Sequence, residues 1–222
     1  IIHFMFREIP AVAMLILATN VIASLGGFKN EQFFNKHRFE IDKIKKGEYF
    51  RLISAGFLHV NMTHLLFNMI TFYFFVSIVV TALGSFLFLL LYFGSLVAGN
   101  LFAYAFHNKQ PNYIAVGASG AVTGVLFSAL LLYPGLELML FFIPIPIPGY
   151  LFGIGYMIYT LYGMKTQSDN IGHTAHFGGA IGGILTTIFF NFKVVFTSQL
   201  MLGVLSITLL IAGVLLYRNQ RP

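Results

Sequence analysis

The sequence predicts an all-α fold, a polytopic transmembrane helix bundle. Three observations carry that expectation: extreme apolarity, apolar runs of membrane-spanning length, and polar residues gathered at only a few places within those runs. Hydrophobic residues make up 58% of the 222 and charged residues 9%, with a mean hydropathy of +0.83. A soluble domain of this size carries about a quarter charged residues. Most of the apolar surface must therefore face lipid or neighbouring helices. Cysteine is absent, which excludes disulfides and thiolate metal sites and leaves the redox compartment unread. The basic residues cluster between Lys29 and Arg51, interleaved with Glu31, Glu40, Asp42 and Glu48. That mixture reads as a solvated loop at the headgroup surface, not as a nucleic-acid patch. Lipid is the expected surroundings; no nucleic acid, metal or cofactor is expected. The chain starts at Ile1 without a methionine, which reads as a trimmed start.

A span needs about 20 residues. Stretches of that length, or nearly so, run over Ile9–Leu25, Phe57–Val80, Phe86–Phe106, Ala115–Tyr133, Tyr150–Tyr162, Ala175–Phe190 and Leu200–Tyr217. From Leu52 to Phe106 there is no Lys, Arg, Asp or Glu, so two spans with a tight turn around Thr81–Ser85 are predicted there. Gly153, Gly155 and Gly163 interrupt the fifth stretch. The loop Phe28–Tyr49 mixes aromatic rings with charges and reads as a partly helical element in the interface. Lys109–Tyr113 and Lys165–Gly172 read as polar connections. In Ile143–Gly149, proline alternates with isoleucine at Pro144, Pro146 and Pro148. Proline removes a backbone donor and restricts its predecessor, so extended backbone is expected.

Polar groups at membrane depth are costly and are functional candidates by default. On the second span, His64 and Asn68 are four residues apart and share one helix face. They could equally cross-link helices. Gly117-Ala118-Ser119-Gly120 opens the fourth span, with Gly124 beyond it. A serine at a helix start has free backbone N–H groups and the positive dipole end beside it, an environment suited to an oxyanion. Gly120 and Gly124 could instead make only a packing seam. His173-Thr-Ala-His176 enters the sixth span ahead of Gly179 and Gly183. His176 could bond across helices or act as a general base. Docking of the glycine faces of the fourth and sixth spans would bring Ser119 and His176 together as the nucleophile and base that acyl transfer requires.

The combination of HxxxN in the second span, GxSG opening the fourth and AHxxGxxxG in the sixth resembles the rhomboid proteases. Arg51-Leu-Ile-Ser-Ala-Gly-Phe-Leu-His59 also resembles the segment leading into their second span, so the likeness covers Tyr49 to Gly183. The resemblance implies a six-helix core over residues 1–192 and an additional C-terminal transmembrane helix over 193–222. It implies that Ser119 is the nucleophile and His176 the base of a dyad. An oxyanion hole would be formed by His64, Asn68 and backbone at Ser119 and Gly117, with Gly120, Gly124, Gly179 and Gly183 packing the helices. The activity implied is intramembrane serine endopeptidase, acting on transmembrane protein substrates in a bacterial inner membrane, with the site opening to the outer face. Only Glu137 and Asp169 carry acid after Glu48, which agrees with a dyad; Asp169 is a candidate helper of His176. Thr123 departs from the family, which often has an aromatic ring there, stacked on the histidine. Val80 falls near a family glutamate. The implied orientation conflicts with the rule that basic loops face the cytoplasm. A catalytically inactive relative that binds transmembrane helices, or a transporter, are the competing readings. The absence of a visible inverted repeat argues against the transporter.

Overall fold

The computed structural model describes residues 9–140, 143–167, 169 and 171–220; the remaining parts of the two expected segments lie outside the described residues. Helices occupy all of the predicted apolar stretches. They are α1 (Ala11–Lys29), α5 (Met62–Leu83), α6 (Ser85–Phe106), α7 (Ser119–Leu132), α8 (Gly149–Thr166), α9 (His173–Phe190) and α11 (Gln199–Gln220). Of these, α1, α5 and α6 are each long and apolar enough to cross a bilayer alone. The protein is an all-α membrane helix bundle.

The boundaries that moved did so for local reasons. The second span starts at Met62, five residues later than the apolar run suggests, because Ala55–Phe57 forms a 3₁₀ turn and Asn61 caps α5. The Asn61 side chain accepts the His64 N–H at 2.8 Å, satisfying one of the orphan donors of a helix start. The turn between α5 and α6 shrinks to Gly84, whose φ of 82° suits a residue without a Cβ. Ala115, expected at the start of the fourth span, instead joins Ile114 in strand β2, which pairs antiparallel with β1 (Phe39–Glu40).

The Phe28–Tyr49 loop folds into α2 (Glu31–His37), β1 and α3 (Ile41–Lys45), and α4 (Arg51–Ser54) follows it. Arg51 organises it. Its buried guanidinium pairs with Glu48 at 2.7 Å and donates to the carbonyls of Asn35 and Arg38 at 2.9 and 2.8 Å. The proline-alternating segment is extended as expected, but it is also paired. β4 (Ile143–Pro148) runs antiparallel to β3 (Glu137–Leu140), with Leu138 opposite Ile147. Ser168 and Asn170 of the following polar loop lie outside the described residues.

α7 is the central helix. Every residue from Gly120 to Leu131 is buried, so its uniform apolarity reflects neighbours on all sides. Its 14 residues span about 21 Å at 1.5 Å per residue, well short of a hydrocarbon core of about 30 Å. A helix of that length cannot cross the hydrocarbon from one surface to the other. The short α10 (Val194–Thr197) leads to α11, where Met201 fills the space beside Gly153 of α8.

Candidate active site

Ser119 is the first residue of α7, so the N–H groups of the first turn have no acceptor within the helix. The turn before it is tied to the segment leading into α5. Gly117 N–H donates to the Ala55 carbonyl at 3.0 Å, and Ala118 N–H points to His59 Nε2 at 3.5 Å. His59 Nδ1 lies 2.8 Å from Ser24 Oγ of α1, whose own proton goes to the Phe57 carbonyl at 3.0 Å. That donor order leaves Ser24 to accept from His59 Nδ1–H and makes Nε2 the acceptor, as the Ala118 contact requires.

The N–H expected from Gly117 for an oxyanion is therefore already engaged, and this glycine matters for a different reason. Its φ is 138°, and a Cβ there would stand 2.8 Å from His64 Cε1, 3.0 Å from His64 Nε2 and 3.6 Å from Ser119 Oγ. His64 Nε2 and Ser119 Oγ thus border the same small space. The His64 Nδ1 is buried without a partner. A bare lone pair costs less there than a bare N–H, which favours the tautomer with its proton on Nε2, facing that space. Asn68 is buried one turn further along α5, and its amide donates to the His64 carbonyl at 3.0 Å. One of its two N–H donors is thereby committed to its own helix.

Glycine governs the approach of α9 to α7. A Cβ at Gly120 would lie 3.2 Å from the Ala175 carbonyl oxygen, and one at Gly124 would lie 2.9 Å from that of Gly179. Added atoms at Gly179 and Gly183 would overlap the backbone carbonyls of Gly120 and Gly124 respectively. Further along, the Thr187 and Ser128 hydroxyls lie 2.8 Å apart, and Thr187 donates to the Gly183 carbonyl of its own helix. The residue after Ser119 thus touches the residue before His176. The first glycine of each adjacent pair on α9 serves α6: a Cβ at Gly178 would meet the Ala98 carbonyl at 2.8 Å, and one at Gly182 the Ala98 side chain at 2.7 Å.

His176 Nδ1 lies 3.1 Å from the hydroxyl of Tyr156 on α8, and that hydroxyl lies 3.0 Å from Thr123 Oγ1, one turn past Ser119. The Tyr156 and His176 rings stack with centroids 6.1 Å apart. Asp169, a candidate helper of His176, is bonded elsewhere. Both its oxygens lie 3.1 Å from His173 Nε2, and the His173 bond holds its carboxyl below the usual carboxylate range. The His173 ring fills the hollow at Gly163, so this pair joins α8 to α9. Among the described residues no cluster of three or more His, Cys, Asp or Glu could hold a metal.

The rhomboid domain family model matches residues 46–193. The chain belongs to the rhomboid family. It is 32% identical over 181 residues to the RHOMBOID-like protein 12, mitochondrial, of Arabidopsis thaliana, covering 72% of this chain and 54% of that protein. It is 40% identical over 82 residues to the putative rhomboid protease YdcA of Bacillus subtilis, covering 37% of this chain and 40% of YdcA. It is 30% identical over 175 residues to the rhomboid protease GluP of the same bacterium, covering 78% of this chain and 32% of GluP. The chain thus spans about half or less of the length of these relatives. In this rhomboid, sequence reasoning missed Tyr156 as the neighbour of His176 and His59 as the acceptor behind the serine turn. His59 lies within a motif segment, which is a usable signal, whereas nothing in the spacing of Tyr156 marks it.

Proposed function

We propose that this rhomboid-family chain is an intramembrane serine endopeptidase that cleaves transmembrane segments with a Ser119–His176 dyad. One observation carries the reading: the glycine seam sets the backbone beside Ser119 against the backbone beside His176, at the turn that His64 Nε2 borders. A hydroxyl and an imidazole so placed are the two groups acyl transfer needs.

In the proposed mechanism His176 Nε2 takes the Ser119 proton as Oγ attacks the substrate carbonyl. The oxyanion is held by the His64 Nε2–H, by the second Asn68 N–H and by the backbone N–H of Ser119. These are donors fixed before the charge develops, in a site of low dielectric. His176 then gives its proton to the leaving amine. Water, activated by the same nitrogen, releases the acyl group from Ser119. A substrate helix hides its carbonyls in hydrogen bonds, so it must unwind locally at the cut; small or helix-breaking residues favour that. Water must reach Ser119 from one face, by the end of α7 at which the serine stands. We assign residues 1–192 to the catalytic core and 193–222 to an added transmembrane helix. We place the protein in a bacterial inner membrane with its site opening to the outer face.

The test is cleavage of a transmembrane reporter by the full chain reconstituted in lipid. Folded wild-type protein should cut within the membrane segment, and failure to cut any of a panel of reporters with helix-breaking residues would count against the proposal. Asn68→Ala should lower kcat/KM by about 10²-fold, the size expected for losing one oxyanion donor. A variant of wild-type rate would remove Asn68 from the oxyanion hole.

A further inference from the structure

We infer that Tyr156 is the positioning residue of the catalytic base: its phenol oxygen accepts the Nδ1–H of His176 and so fixes the tautomer whose Nε2 lone pair meets Ser119. The inference rests on the dyad reading and extends it, since a dyad without a carboxylate leaves the second nitrogen of its imidazole to be satisfied by something else.

Three contacts support it. The Tyr156 hydroxyl is 3.1 Å from His176 Nδ1, within hydrogen-bond range. The same hydroxyl is 3.0 Å from Thr123 Oγ1, so it has a second partner able to take its proton. The phenol ring is held in place from two sides. Phe152 of α8 stacks on it at 6.1 Å, and Phe127 of α7 meets it edge-on at 5.9 Å. A neutral imidazole has one N–H, and the bond made by one nitrogen decides which of the two carries it. If the chain runs from His176 Nδ1–H to Tyr156 oxygen and from Tyr156 O–H to Thr123 oxygen, Nε2 is bare and can act as a base. If it runs in reverse, with Tyr156 donating to Nδ1, the proton sits on Nε2 and the base is blocked. In the inferred arrangement the Thr123 oxygen accepts from Tyr156, the direction that leaves Nε2 bare.

When Nε2 takes the serine proton, the imidazolium keeps Nδ1–H on the phenol oxygen. The bond then gains charge assistance and strengthens as the transition state forms. No proton passes to tyrosine, whose hydroxyl remains a neutral acceptor throughout. The position also explains Thr123: its small side chain leaves room over His176 for a ring that arrives from another helix. Because that ring belongs to α8, the orientation of the base depends on where α8 sits relative to α7 and α9. A displacement of α8 would release Nδ1.

The test uses the full chain in lipid with Tyr156→Phe, which keeps the ring and removes the acceptor. Expected is a fall in kcat of about 10- to 10²-fold, the size typical of losing a hydrogen bond that fixes a functional histidine ring, with KM within about twofold of wild type. Nitrogen-15 shifts of His176 should change from the Nδ1–H tautomer in wild type to a mixture in the variant, with the unfolding temperature little changed. Thr123→Val should act in the same direction more weakly and add nothing in the Tyr156→Phe background. It carries the test should Tyr156→Phe fold poorly. An unchanged kcat with unchanged His176 shifts, in a wild type that does cleave, overturns the inference and leaves the dyad standing; so does a raised KM at unchanged kcat, which makes Tyr156 a substrate contact. A folded wild type that neither cleaves nor reacts with a serine-directed probe overturns the dyad itself.

Discussion

Ser119→Ala and His176→Ala are each expected to lower reporter cleavage by at least about 10⁴-fold, and the double variant to lose no more than either alone. Groups that act as one unit are grossly non-additive, because removal of either member leaves the other without a task. What remains in the variants is the residual catalysis of the oxyanion donors and of substrate binding. The measurement is single-turnover cleavage of the reporter in lipid, with folding of each variant checked by thermal unfolding. Additive losses in the double variant would mean that the two residues act in separate steps, contrary to a proton passing between them.

Gly179→Val should have the largest effect on folding. A Cβ at Gly179 overlaps the Gly120 backbone carbonyl, and backbone cannot move aside as the end of a flexible side chain can. Overpacking of this kind costs about 1–3 kcal/mol for one or two extra methyl groups, and valine adds three carbons at a backbone-to-backbone contact. At about 3 kcal/mol the unfolding temperature in detergent would fall by roughly 6–12 °C for a chain of this length. Activity should fall further than stability. Ser119 and His176 stand beside the very atoms that must part, and a misplacement of about 1 Å can cost 10²-fold in rate. Gly155→Ala is the control: nothing lies within 4 Å of a Cβ there, and the exchange favours helix. It should leave unfolding temperature and cleavage close to wild type. A Gly179→Val protein as stable and active as the control would remove the seam from the account.

Much of the architecture was legible because membrane solvation imposes a simple rule, that long apolar runs become helices. The runs around Ile9–Leu25 and Phe86–Phe106 correspond to α1 and α6 within a few residues. The errors share a cause in local or long-range polar bonding that an apolar run does not encode. Phe57 to Asn61 read as span, but the Asn61 cap and the turn before it start α5 later. Ala115 read as span, but the pairing of Ile114–Ala115 with Phe39–Glu40 holds it extended. The Pro144–Pro148 segment was legible as extended. Its partner β3 was not, since strand pairing depends on where the chain returns and not on composition.

At the site the same division holds. Gly120, Gly124, Gly179 and Gly183 announce a close-packing seam by their four-residue spacing, and α7 and α9 meet along them. The partner of His176 could not be read. Thr123 signalled only that the expected ring was missing, and Tyr156 sits on another helix, 20 residues from His176. Asp169 was a candidate helper of His176 in a dyad that needs no carboxylate. His173 takes it instead because it lies four residues on and its ring occupies the Gly163 hollow on α8.

The claim on which the rest depends is that the Ser119 hydroxyl is activated by the His176 imidazole. A fluorophosphonate tests it most directly, because it reacts with a serine oxygen only as the neighbouring base removes the proton and needs no knowledge of the natural substrate. Folded wild-type protein in lipid should form a covalent adduct located by mass spectrometry on Ser119, and His176→Ala, equally folded, should form none at the same exposure. Adduct on Ser119 at the wild-type rate in His176→Ala, or none in folded wild type, would contradict the account.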